Sequence, residues 1–112
     1  MKKSVSYSDF EKLDFRVGEV VEASVPEWSN KLLRLEVDFG DEIGKRIIFS
    51  GIKKWYKPED LVGQKYIFLV NMEPKKMGEE ESEGMMIMAD LDDDGVELIP
   101  VGKKVGVGTV VR

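Results

Sequence analysis

The side chains able to do chemistry in this chain are cationic, amidic and aromatic, and the most informative of them lie between Trp28 and Met85. There is no histidine and no cysteine. Ready proton transfer near neutral pH, thiolate nucleophiles, disulfides and sulfur-rich zinc sites are removed together. The segment Asn71-Met72-Glu73-Pro74-Lys75-Lys76-Met77, followed by Ser82-Glu83-Gly84-Met85, stands out. A turn set by Pro74 that presents Lys75 and Lys76 at the mouth of a barrel would supply fixed cationic donors for phosphate. Asn71 could bridge a base edge or the backbone. Taken on its residues alone, the segment is a basic loop. Trp28, Trp55 and Tyr56 sit beside basic or polar residues, a combination suited to stacking bases. Partial burial of each ring in a core is the competing fate.

Other constellations fail on inspection. Asp90, Asp92, Asp94 and Gly95 match the opening of a calcium loop, but the position that should carry its bidentate glutamate is Val101, and neither flank reads as a helix. A solvated hairpin tip accounts for them better, and no metal site is expected. Glu79, Glu80, Glu81 and Glu83 lack the apolar enclosure that would raise one carboxyl for glycoside hydrolysis. Gly102, Gly106 and Gly108 are not followed by the Lys-Ser/Thr and helix of a phosphate-cradling loop. Met85, Met86 and Met88 read as filler for a core or a subunit interface. A binding module without cofactor, not an enzyme, is the expected class.

The whole-chain charge of −5 argues against a polyanionic partner until it is divided along the chain. Residues 45–76 hold eight basic side chains and three acidic ones, whereas residues 77–97 hold nine acids and no base. A polyanion responds to the local field of a patch. At 112 residues and 42% hydrophobic content, one domain with a modest core is expected, helped by oligomerisation. No apolar run approaches the roughly 20 residues of a membrane helix, and the N-terminus lacks a signal-like apolar stretch. A soluble, cytoplasmic protein with no membrane partner is therefore expected.

The elements that must position these groups are short. Ser8 and Glu11 have capping-box spacing, which predicts a helix over 8–12. In the strand 14–24, Phe15, Val17, Val21 and Ala23 share a face, with Gly18 permitting a bend or bulge. Residues 31–39 alternate, Leu33, Leu35, Val37 and Phe39 facing inward. A third strand covers 46–50, a short helix 58–62 begins at Pro58, and a fourth strand covers 66–70. Residues 71–84 read as a polar connection, Met85–Ala89 as a buried strand, and Asp94-Gly95 as the turn into 96–99. The last alternation, Val105 to Val111, pairs within the domain or across a subunit interface. This order predicts an all-β, five-stranded OB-fold barrel with a short helix between strands three and four. Residues 1–13 form its N-terminal helix, 14–99 the barrel and 100–112 a C-terminal strand extension. An SH3-like barrel is the next choice.

Six segments in order carry a resemblance. They are Asp14-Phe15-Arg16-Val17-Gly18, Asn30-Lys31-Leu32-Leu33, Phe49-Ser50-Gly51-Ile52, Tyr56 to Gly63, Asn71 to Met77, and Ser82-Glu83-Gly84-Met85. With these, the chain resembles the tRNA-binding domain family, which includes methionyl-tRNA synthetase appendages, free-standing dimeric proteins and a secretion-chaperone branch. The resemblance implies an OB-fold that binds tRNA by shape, reading its backbone. It assigns the binding face to Lys31, Ser50, Asn71, Lys75, Lys76, Met77 and Ser82; Arg34, Lys53 and Lys54 are added from charge alone. Lys75 stands where the family commonly carries arginine, so a point charge replaces a planar bidentate donor. The implied partners are tRNA, a second copy of the chain and an aminoacyl-tRNA synthetase acting in trans. A dimeric, polypeptide-binding chaperone is the alternative, suited by the acidic pI of about 4.8, and a module docking on a synthetase is a third.

Overall fold

A computed structural model describes residues 1–112. After a short helix, α1 (Tyr7–Glu11), come the strands β1 (Phe15–Ser24), β2 (Leu33–Asp38) and β3 (Lys45–Ser50). Helix α2 (Pro58–Leu61) leads to β4 (Lys65–Leu69), and β5 (Lys75–Met77), β6 (Glu80–Ser82) and β7 (Met85–Met86) follow. The chain ends with β8 (Met88–Asp90), β9 (Val96–Leu98) and β10 (Val110–Val111). The main sheet runs β3-β2-β1-β4-β7, all antiparallel, with β10 added to β1. Its free edges curl together. The Glu83 N–H donates to the Ile47 carbonyl at 2.9 Å, and the Glu83 carboxylate accepts the Ile47 N–H at 3.0 Å. The result is the nearly closed five-stranded barrel of an OB-like all-β fold, with α2 between the third and fourth barrel strands as expected.

Strict alternation puts Leu33, Leu35 and Val37 of β2 inside, all fully buried. Phe39 and Phe68 meet edge-on with centroids 5.4 Å apart. Leu61 of α2 is fully buried in the same core. The face expected for β1 is shifted, because the bulge falls at Val21: Val20 pairs with Val37 and Glu22 with Glu36, leaving Val21 extra. The inward positions are therefore Gly18, Val20 and Ala23. Gly18 serves close packing, since a Cβ there would lie 2.5 Å from Val37 Cγ1 and 2.6 Å from Phe39 Cε1.

Three other expectations are corrected. The cap of α1 is Ser6, whose hydroxyl accepts the Asp9 N–H at 3.1 Å, and Ser8 lies inside the first turn. The polar connection 71–84 contains the β5–β6 hairpin, hidden by charged residues with little strand preference. The methionine strand divides at Ile87, because Met85–Met86 pair with β4 and Met88–Asp90 with β9; only Met86 is buried. The C-terminal alternation stays within the chain. Its segment is strapped to the barrel by the Lys65 ammonium on the Val105 carbonyl at 2.7 Å and by β10 against β1. No helix is long and apolar enough to cross a membrane.

Candidate nucleic-acid interface

The C-terminal end of β3 is the axis of the site. There Ser50 and Gly51 lead into a turn in which the Trp55 and Tyr56 N–H groups both donate to the Ile52 carbonyl, at 2.9 and 3.0 Å. The Lys53 N–H donates to the Lys31 carbonyl at 3.2 Å, which brings two lysines from distant sequence together. Lys31, Lys53, Lys54 and Trp55 line one groove of about 530 Å³ with Asn30, Leu32, Gly51 and Asp94. The Lys54 ammonium stands 5.6 Å from the Trp55 ring centroid. A shallow depression beside it contains Phe49, Ser50, Met85 and Met86. A third, smaller one contains Phe49, Lys75, Met77, Ser82 and Met85. Gly51 is common to the first two, and Phe49 and Met85 to the last two, so the three form one surface.

That surface gathers Lys31, Ser50, Lys53, Lys54, Lys75, Met77 and Ser82. The remaining candidates are elsewhere or occupied. Strand alternation sends Lys75 and Met77 to one side of the β5–β6 hairpin and Lys76 to the other, opposite Glu81. Asn71 is spent on the N-terminal segment, its Oδ1 accepting the Asp14 N–H at 2.8 Å while its amide donates to the Lys12 carbonyl. Arg34 is clamped on Glu80 by two bonds of 2.7 and 2.8 Å. The hydrogen bond from Arg34 holds the Glu80 carboxyl below the usual carboxylate range, and the same bond raises the guanidinium.

The two serines are nearly buried at 6% exposure. Ser82 Oγ accepts the Phe49 N–H at 3.0 Å and donates to the Gly84 carbonyl at 3.2 Å, which fixes the hairpin against β3. Trp28 covers the hairpin turn: its ring packs 5.7 Å from that of Phe49, and a Cβ on Gly78, whose φ is +63°, would lie 2.8 Å from it. Sequence alone does not point to Phe49 and Met85 as surface residues, although both lie in the six segments. Apolar residues within strands ordinarily signal core, yet Met85 is 47% exposed.

A small antiparallel barrel with unpaired ammonium groups and a half-exposed indole along one strand end is a binding module of the oligonucleotide-barrel class. The chain belongs to the tRNA-binding domain family: the family model described as "Putative tRNA binding domain" matches residues 15–110. The methionine–tRNA ligase of Methanocaldococcus jannaschii is 50% identical over 110 residues, which are 98% of this chain and 17% of that enzyme. That of Deinococcus radiodurans is 42% identical over 96% of this chain and 16% of the enzyme. The chain thus spans about a sixth of the length of the curated relatives it matches. A structure described as a MetRS related protein from Pyrococcus horikoshii aligns with a TM-score of 0.93 at 41% identity, covering 99% of this chain and all of that one. The chaperone CsaA from Bacillus anthracis aligns with a TM-score of 0.86 at 32% identity, over 98% of this chain and all of that one. The family expected from the six segments is therefore the right one, and the domain is a non-catalytic module.

Proposed function

We propose that this domain binds tRNA by its folded backbone, with Lys31, Lys53, Lys54 and Lys75 contacting phosphates and Ser50, Met77 and Ser82 shaping the surface between them. The observation that carries this reading is the continuous face itself, on which the ammonium groups of those four lysines are paired with no carboxylate. Phosphate contacts set position without reading sequence, which suits recognition of a folded bend. The domain acts in the cytoplasm, in trans with an aminoacyl-tRNA synthetase or alone. It pairs with a second copy through the exposed apolar residues Tyr7, Phe10 and Leu13 of the α1 region and Val110 of β10. A dimer doubles the cationic face presented to one tRNA.

Filter binding of tRNA at two salt concentrations tests the reading. Affinity should fall steeply with salt. Lys75→Ala should cost more than Lys76→Ala, because only Lys75 lies on the continuous face. Absent or salt-independent binding would overturn it. A second reading, a polypeptide-binding chaperone, is favoured by the depression with Phe49, Met85, Met86 and Met88 and by the likeness to CsaA. Salt-insensitive capture of an unfolded polypeptide in place of tRNA would select it.

A further inference from the structure

We propose that the groove between the start of β2 and the turn after β3 takes one unpaired ribonucleotide, its base stacked on Trp55 and its phosphates held by Lys31 and Lys53. This rests on the tRNA reading and deepens it, since backbone contacts alone have no use for an indole. At about 530 Å³ the groove lies within the size range of small-ligand sites. Trp55 is 39% exposed and stacks on no other ring of the protein. Its Nε1 edge rests on the β8–β9 turn, where a Cβ on Gly95 would lie 3.7 Å away. The ring thus has one edge against that turn and the Lys54 ammonium 5.6 Å from its centroid, a lysine that must swing toward phosphate as a base takes its place, while part of the ring remains open to the groove.

The walls are preorganised. Ser29 Oγ accepts the Lys31 and Leu32 N–H groups at 3.2 and 3.3 Å, and the Lys31–Lys53 backbone bond joins the two sides. The backbone of the walls needs little ordering on binding, and the cost that remains is that of the lysine side chains. Three lysines face one acid, Asp94, so the groove selects an anion that also has an aromatic plane. A paired base has both faces occupied by its neighbours in the stack, so only a splayed one can lie on Trp55.

Indole emission tests this directly. Wild type, Trp55→Phe and Trp55→Ala are titrated with tRNA, with a short single-stranded oligoadenylate and with a fully paired RNA duplex, and filter binding is run in parallel. Emission should be quenched by tRNA and oligoadenylate but not by the duplex, and the quench should vanish in both variants while Trp28 still emits. Oligoadenylate affinity should drop about tenfold in Trp55→Ala and recover most of that in Trp55→Phe, whose ring can still stack. Retention of tRNA on filters with no quench and no loss in Trp55→Ala would overturn the subsite and leave the tRNA reading intact. Equal quenching by the duplex would overturn it as well. Failure of both tRNA and oligoadenylate to bind wild type would remove the tRNA reading and the subsite with it.

Discussion

Glu80 and Arg34 hold one another by parallel N–H···O bonds, and that pair decides what Arg34 is free to do. Because the hydrogen bond lowers the Glu80 pKa in the folded state, the pair contributes stability above the ordinary carboxylate range. That contribution is lost as pH falls through the lowered value. Urea midpoints at descending pH should therefore decline for wild type and change less for Glu80→Gln. The same substitution removes a negative charge and releases Arg34, so filter binding should show tRNA affinity raised about twofold to fivefold, in line with a partly exposed pair. Gly18→Ala is the opposite kind of residue. Its methyl would press on Val37 and Phe39 at contact distances no core tolerates, and thermal unfolding should report a loss of about 1–3 kcal/mol. Both facts were invisible in sequence. In sequence Arg34 shows only its charge and Gly18 only a possible bend, because partners 46 and 19–21 positions away cannot be inferred from local spacing.

Among the strands, β2 is legible in sequence because its inner face is apolar at every second residue and its outer face is polar throughout. The β5–β6 hairpin is not legible in this way, because six of the twelve residues from Asn71 to Ser82 are charged and no alternation shows. What holds that hairpin is Ser82. Ser82→Ala leaves the buried Phe49 N–H without its acceptor and should cost about 1–3 kcal/mol, with faster hydrogen exchange at the Phe49 amide as the specific sign. Asn71 does comparable work for the N-terminal segment, none of whose helical residues is buried. Asn71→Ala should leave the melting of the barrel nearly unchanged while exchange accelerates around residues 12–14. Light scattering on that variant should also show weakening of the dimer proposed above, since the apolar residues of the α1 region would no longer be held beside β10.

Over the whole molecule, an acidic chain carries a locally basic face because none of the nine acids of residues 77–97 forms an ion pair with its lysines, and several are engaged elsewhere. Glu80 is taken by Arg34, Glu83 caps the β3 edge, and Asp90 to Asp94 lie at the far hairpin, of which Asp94 alone reaches the groove. Salt should therefore act on tRNA binding through the few lysines of that face, with a log–log slope set by about four contacts per copy of the domain. A much steeper slope in filter binding would mean that cations outside the face take part. Composition, strand periodicity and six ordered segments were enough to establish the class, the barrel and the family, because each is written in local spacing or in types of residue present or missing. Which cations stand free, which way Lys75 and Lys76 point, and how Lys31 comes beside Lys53 were settled by the closing of the sheet. Closure joins strand ends far apart along the chain, and pairing across such distances leaves no periodic trace in the residues that take part.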